Sequence, residues 1–326
     1  MNILDAIREK AKSDLKTIVF PEGNDERILK AAQICQQEKL VIPIIVSKEE
    51  DVLKCAKEAG VDLEGIDIVD PEKDAKAAEY AEILYEKRKH KGMDQAKARR
   101  ILSNPLFYAA MMVHTDRADA SVAGAVNTTG DVLRAAIHII GVAKGYSIVS
   151  STFLMVLPDG TPLTYADCGV VPNPNTEQLA EIAVASAKTH KSLTGEEPLV
   201  AMLSFSTKGS AQHELVEKVR NATALAQELD KDLKIDGEMQ LDAAIVEAIG
   251  QKKAPGSPVA GKANVLIFPD LQAGNIGYKL TERLAGAEAI GPIIQGLAKP
   301  ANDLSRGCKV EDVVNVACIC SLKAHV

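Results

Sequence analysis

The stretch TIVFPEGNDERILKAAQICQQEKLVIPIIV, residues 17–46, decides the fold class. Thr17–Phe20 reads as a strand and Pro21–Asp25 as the loop that leaves it. Glu26–Glu38 reads as a helix, with Ile28, Leu29, Ala32 and Ile34 on one side. Val41–Val46 is a continuous apolar run of the kind that lies in a parallel sheet covered on both faces. The same alternation continues outward. Glu49–Ala59 is helical, Ile66–Val69 a short strand, and Ala75–Lys89 a long helix that ends in a basic cluster. Ala120–Ala125 is a further buried strand, leading through Asn127–Gly130 into a helix at Asp131–Ile140. Short β-branched runs alternating with helical ones predict an α/β protein with mostly parallel sheets.

The pattern breaks near Lys144–Ser151, where a domain boundary is expected. Thr152–Leu157 and Leu163–Ala166 read as two strands joined by a tight turn at Asp159-Gly160. Alternation then resumes with helix Thr176–Thr189, strand Leu199–Phe205, helix Ser210–Glu228, strand Val265–Phe268 and helix Gly274–Leu284. A last helix spans about Lys309–Leu322. At 326 residues the chain exceeds what one hydrophobic core usually supports, which favours two domains.

Composition narrows the function. A net charge of -7 argues against a broad nucleic-acid or membrane-surface binder, since both need extended positive fields. Tryptophan is absent and aromatics are few, which weakens a base-stacking surface. No apolar run reaches the roughly 18 residues of a membrane span, and the charged start MNILDAIREKAKSDLK is no signal peptide. Six scattered cysteines then read as free thiols of a cytoplasmic protein.

Two strand–loop–helix units have the composition of anion cradles. One is Gly124-Ala-Val-Asn-Thr128-Thr129-Gly130, followed by Asp131-Val-Leu-Arg134. The other is Ser204-Phe-Ser206-Thr207-Lys208-Gly209-Ser210. Small hydroxyl residues and glycine before a helix leave backbone N–H groups and the positive dipole end free to face a phosphate. The same residues also serve as plain helix caps. Two such loops at strand ends of an α/β sheet favour ligand binding. Gly256-Ser-Pro-Val-Ala-Gly261-Lys262-Ala263 imitates a nucleotide-binding P-loop, but Ala263 stands where a hydroxyl should reach magnesium, and no strand-to-helix junction surrounds it. The basic run Lys87-Arg88-Lys89-His90-Lys91 closes a helix, where cations meet the negative dipole end. A single arginine within it could still hold a phosphate bidentately.

Ser206–Ser210, Ala254-Pro-Gly-Ser-Pro-Val-Ala-Gly-Lys-Ala-Asn264, Ile267-Phe-Pro-Asp270 and Asn302-Asp-Leu-Ser-Arg-Gly-Cys308 together resemble the phosphate acetyltransferase family, from Ile18-Val-Phe-Pro-Glu22 to the last helix. The resemblance implies reversible acetyl transfer between acetyl phosphate and coenzyme A, releasing or consuming inorganic phosphate. It also implies a homodimer, no metal and no cofactor, coenzyme A being a substrate. The implied fold is a pair of α/β/α domains similar to isocitrate and isopropylmalate dehydrogenases, with the active site in the interdomain cleft. Residues 1–147 and 296–326 would form one domain, carrying the C-terminal motif, and 148–295 the other. By the same resemblance Ser305, Arg306 and Asp312 are catalytic, and Arg88 and Arg134 bind the phosphate-bearing substrates. Thr128, Thr129, Ser206, Thr207, Lys208, Gly209 and Ser210 are the further candidate binding residues.

The implied chemistry is direct thiolate attack in a ternary complex. Asp312 is the expected base, Arg306 the partner of the carbonyl oxygen, and Ser305 a hydrogen-bond donor to the developing charge. An ordinary aspartate lies about 4.6 pH units below a thiol, so unaided proton transfer is uphill by roughly 6 kcal/mol. Partial burial of the aspartate would raise its pKa while a nearby arginine stabilises the thiolate, and the two shifts would close that gap from both sides. Arg306 tied to Asp312 would weaken the base, so substrate is expected to draw it away. Cys308 has no neighbouring histidine and reads as a small buried thiol rather than a nucleophile. The nearest alternative is a butyryl or longer-chain acyl relative. A non-catalytic acetyl-CoA sensor and an NAD-linked dehydrogenase are more distant ones.

Overall fold

A computed structural model describes residues 3–324. It divides into two compact units, residues 4–143 with 297–324, and residues 144–296.

Strands are numbered along the chain. The first unit holds β1 (Thr17–Phe20), β2 (Ile42–Val46), β3 (Asp67–Val69) and β4 (Ala120–Ala123). Its last strand is β11 (Ala301–Asp303), and the sheet order is β11-β4-β1-β2-β3. Every pairing is parallel, with Thr17 opposite Ile42, Ile18 opposite Ala120 and Ala301 opposite Ser121. Parallel strands covered on both sides are mostly apolar, and Ile18, Val19, Phe20, Ile45 and Val46 are all 0% exposed. Each such side chain contributes about 1.5–3 kcal/mol by leaving water.

One face of this sheet is covered by helices Glu26–Gln37 and Val310–Lys323. The other packs on a cluster that joins Val19, Ile44 and Val46 to Tyr80, Leu84 and the helix Pro105–His114. That helix starts on an Asn104 cap with proline at its first turn, and it is buried from Tyr108 to Val113.

The second unit holds β5 (Ser150–Val156), β6 (Pro162–Ala166), β7 (Leu199–Leu203), β8 (Lys234–Met239), β9 (Val265–Ile267) and β10 (Glu288–Gln295), in the order β10-β5-β6-β9-β7-β8. From β6 to β8 the pairing is parallel, while β5 runs antiparallel to both its neighbours. Alternate residues of β7 feed opposite cores: Val200 and Met202 join one cluster, Ala201 and Leu203 the other. The helix Thr176–Thr194 opens with a capping box between Asn175 and Gln178 and ends on left-handed Gly195.

The differences from expectation have physical causes. The helix expected from Asp131 begins two residues earlier, because Thr128 caps it and brings Thr129 into its first turn. The helix expected from Ser210 begins at Glu214, because Ser206–Ser210 forms a closed loop of its own. Residues 256–263 are turns without a helix, which leaves no P-loop geometry there. No described helix is long and apolar enough to cross a membrane.

Candidate active site

In the first sheet the chain runs from β1 outward through β2 and β3, then returns to the other side of β1 with β4 and β11. Strand order therefore reverses between β1 and β4, and the carboxyl ends of β1, β4 and β11 meet at the position where such sheets hold ligands. Three loops leave there: 21–25, 124–128 and 304–309.

A buried carboxylate organises the first two. Glu22, 2% exposed, receives the amides of Gly124 (2.9 Å) and Ala125 (2.8 Å) on Oε2. On Oε1 it receives the amides of Val126 (3.1 Å) and Asn127 (2.8 Å), and the Asn127 side-chain amide (2.8 Å). The cradle amides expected to be free for phosphate are thus occupied by the protein's own carboxylate. What stays available begins one residue later. Thr128 caps helix Thr129–Ile139 by accepting the Asp131 amide at 3.2 Å, and the amides of Thr129 and Gly130 have no intrahelical partner by position. The Thr129 hydroxyl donates to Asp303 Oδ2 at 2.6 Å. Gly124 permits this close approach: its φ is +115°, and a Cβ there would lie 2.4 Å from Asp303 Oδ1.

Arg27 ties all three loops together. Its Nη1 donates to the carbonyls of Arg306 (2.8 Å) and Cys308 (3.1 Å), and its Nη2 to Ala125 O and Asp25 Oδ2, both at 2.8 Å. Its Nε reaches Asp25 Oδ1 at 3.0 Å. Asp25 holds the guanidinium above its ordinary pKa. The five donors of an arginine fork make such a junction, which a lysine could not.

This junction fixes the backbone of the C-terminal motif while its side chains face outward. Ser305, Arg306 and Asp312 are exposed. Ser305 Oγ accepts the Gly307 amide at 3.2 Å, and Asp312 Oδ2 accepts the Lys309 amide at 2.7 Å at the start of the last helix. Arg306 makes no ion pair among the described residues, so the feared tie to Asp312 is absent in this structure. The Cys308 thiol is buried, and burial pushes its pKa up.

The two expected phosphate arginines stand apart. Arg134 is exposed one turn into helix Thr129–Ile139, and its Nη1 contacts Asp131 Oδ1 at 2.7 Å. Arg88 donates through Nε (3.2 Å) and Nη2 (3.1 Å) to the carbonyl of His138. That carbonyl lies roughly 13 Å along the helix axis from Thr129.

In the second unit β9 lies between β6 and β7, which makes another reversal of strand order beside the loop 204–210. Here too an internal carboxylate fills the loop. Glu238 is 2% exposed and receives the Gly209 amide (2.8 Å) and the Ser206 hydroxyl (2.9 Å) on Oε1, with Arg220 Nε at 3.3 Å from Oε2. Burial alone would raise its pKa, but the Gly209 amide, Arg220 and Ser206 together hold it below the usual range. Thr207 N donates to Ser210 Oγ at 3.0 Å, Thr207 Oγ1 accepts the Gln240 amide at 2.9 Å, and the Lys208 ammonium pairs with Asp236. Asp167, 3% exposed, repeats the device. It accepts the amides of Gly169 (2.9 Å), Val170 (3.1 Å) and Val171 (2.8 Å).

No group of three or more His, Cys, Asp or Glu among the described residues could hold a metal ion. Residues 2–321 match the family model described as Phosphate acetyl/butaryl transferase. The chain belongs to this family. A phosphate acetyltransferase of Acetivibrio thermocellus is 52% identical over 331 residues, covering 100% of this chain and 99% of that protein. A phosphotransacetylase from Streptococcus pyogenes superposes with a TM-score of 0.95 at 42% identity, over 99% of this chain and 98% of that one. A 4-hydroxythreonine-4-phosphate dehydrogenase from Burkholderia phymatum reaches a TM-score of 0.56 at 13% identity, covering 94% of this chain and 98% of that one. That last likeness shows the fold alone, and it agrees with the dehydrogenase-like architecture expected from sequence.

Ser305, Arg306 and Thr128 lie on neighbouring strand-end loops of one unit, and Thr129 and Asp312 in the first turns of the helices that those loops enter. The sequence reading missed Glu22, Arg27 and Asp303, although Pro21-Glu22-Gly23 and Asn302-Asp303 lay inside stretches already singled out.

Proposed function

We propose that this chain transfers an acetyl group reversibly between acetyl phosphate and coenzyme A, by direct attack of the thiolate within a ternary complex. The observation that carries the reading is the exposed set Ser305 and Arg306, on a loop whose backbone Arg27 holds in place, and Asp312 in the first turn of the helix that follows it.

In the forward direction Asp312 takes the thiol proton, and the sulfur attacks the acetyl carbonyl carbon. Charge develops on the carbonyl oxygen, where the Arg306 guanidinium and the Ser305 hydroxyl stabilise it. The acyl–phosphate bond then breaks, phosphate leaves with the bonding pair, and the thiol proton passes from Asp312 to the departing phosphate, which restores the base. Arg134, Thr128 and Thr129 at the helix amino end receive that phosphate. Arg88, held about 13 Å further along that helix by the His138 carbonyl, is a proposed contact for another anionic group of the phosphate-bearing substrates. Ser206, Thr207, Lys208, Gly209 and Ser210 are proposed contacts of the phosphate-bearing substrates in the second unit. An unpaired Arg306 supports this assignment of roles, since a guanidinium already bound to Asp312 would have to be released first.

The reading needs no metal or cofactor, coenzyme A being consumed and regenerated as substrate. Helix Leu271–Ala285 exposes Ile276, Leu280 and Leu284 at helical spacing, which supports a homodimer. Free cysteines agree with a cytoplasmic location. The test is thioester formation from acetyl phosphate and coenzyme A by the purified chain, with butyryl phosphate in parallel. Rapid turnover that favours acetyl is expected. Absence of turnover with either acyl phosphate would refute the assignment, and a preference for butyryl would move the chain to the longer-chain branch.

A further inference from the structure

Asp303 ends β11, is 1% exposed, and accepts the Thr129 hydroxyl on Oδ2 at 2.6 Å. Its Oδ1 is buried without a hydrogen-bond partner, pressed against the Gly124 backbone. Charged groups on the elements around it are engaged elsewhere. Glu22 is saturated by amides, and Arg27 is bound to Asp25 and loop carbonyls. Asp131 pairs with Arg134, Glu311 with Arg8, and Asp312 holds the Lys309 amide. Asp303 makes no ion pair among the described residues. Burial pushes its carboxyl up to about 6 against the pull of the Thr129 hydroxyl, and the Glu22 charge adds to the rise.

A hydroxyl has one hydrogen to give. While Asp303 is ionised, that of Thr129 points inward, and the first residue of the helix turns only lone pairs toward an incoming anion. Once Asp303 is protonated, its own O–H donates to Thr129 Oγ1. The threonine hydrogen is then free to point outward, beside the unpaired amides of the first turn. An anion at this helix end also repels a second negative charge beneath it, which favours the protonated form.

We propose that Asp303 is a positioning residue that takes up a proton from solvent when a phosphate-bearing ligand settles at the amino end of helix Thr129–Ile139, so that Thr129 changes from donor to the protein into donor to the ligand. The proton rests on Asp303 Oδ2 and returns to solvent when the ligand leaves. This rests on the assignment of Thr128 and Thr129 to phosphate binding made above.

Sulfate is the probe, because it stays a dianion throughout the working range and brings no proton change of its own. The full chain is titrated with sulfate calorimetrically between pH 6 and 8.5, in buffers of different ionisation enthalpy. Wild type is expected to take up about one proton per sulfate, with a Kd that rises up to about tenfold per pH unit above neutrality. In Asp303→Asn the carboxamide N–H serves Thr129 at every pH, so uptake is lost and Kd stays within about twofold. Thr129→Ser keeps the coupling, and Thr129→Val loses it together with affinity. Equal uptake in wild type and Asp303→Asn, with binding still weakened by Thr129→Val, would overturn the proposal and leave the anion site standing. Sulfate binding indifferent to both Thr129→Val and Arg134→Ala, or none at any pH, would overturn the site assignment and the proposal with it.

Discussion

Replacing Asp303 by asparagine is expected to make the protein more stable at neutral pH. The carboxyl is 1% exposed, and burial raises it from 3.8 to about 6, so the folded state resists its ionisation. A shift of about two units corresponds to about 3 kcal/mol of stability. For an acid whose folded pKa is raised, the native chain binds more protons than the unfolded chain between the two values. The favourable contribution is fully present below about 3.8, is lost as pH rises through about 6, and is absent at pH 7.5. Asp303→Asn removes the ionisation while keeping size and hydrogen-bonding capacity toward Thr129. Its advantage over wild type should be small near pH 4.5 and approach about 3 kcal/mol at pH 7.5, a rise in Tm of several degrees. Urea denaturation followed by far-ultraviolet circular dichroism at four pH values between 4.5 and 8 measures it, tryptophan being absent. A variant less stable than wild type at pH 7.5, or a difference that does not grow with pH, would refute the reasoning. A carboxylate kept at such a cost is where a functional demand is expected to override stability.

Other perturbations test separate parts of the structure. His190 is 0% exposed, bonded through Nδ1 to Thr164 Oγ1 at 2.9 Å, and burial lowers its pKa from 6.5 to about 4. The unfolded chain therefore takes the proton first, and stability present above about 6.5 falls by about 3 kcal/mol as pH drops toward 4. His190→Gln should flatten that limb of the acid-unfolding curve, and an unchanged proton stoichiometry would contradict the assignment. Gly124→Ala must place a Cβ 2.4 Å from Asp303 Oδ1 at a φ of +115°. A stability loss above about 2 kcal/mol, with loss of turnover, is expected in denaturant titration and assay. Arg27→Lys keeps the charge but not the fork that holds the Arg306 and Cys308 carbonyls. Its kcat should fall at least about tenfold with little change in Tm, whereas wild-type kcat would show that the junction does not position the loop.

Legibility of the fold followed where local pattern and tertiary role agree. Thr17–Phe20 forms the strand read from its residues, and Glu26–Gln37 ends one residue short of the helix read there. The strand β8, KIDGEM, lies at a sheet edge and carries three charges and a glycine, so nothing in its composition announces it. β10 contains Gly291-Pro292, and its pairing with β5 is irregular there, between Ile290 and Ile293. The helix Pro105–His114 is apolar on nearly all sides and so has no periodicity to read. At the candidate site, Ser305, Arg306 and Asp312 could be singled out together because they sit in one short motif, and their roles stay a proposal. The partners of Glu22 were not, because its bonds reach residues 124–127, about a hundred positions away. Local composition marked both loops as cradles with amides free for a phosphate, and several of those amides are instead bonded to the protein's own carboxylates. Only tertiary structure shows that Glu22 and Glu238 fill them.

The most direct test of the catalytic assignment is the steady-state kinetics of Asp312→Asn with acetyl phosphate and coenzyme A, followed by thioester absorbance. Loss of the base that takes the thiol proton should lower kcat by about 10²–10⁴-fold, with KM for acetyl phosphate within about twofold of wild type. A kcat comparable to wild type would contradict the assignment of Asp312 and, with it, the proposed route of the proton.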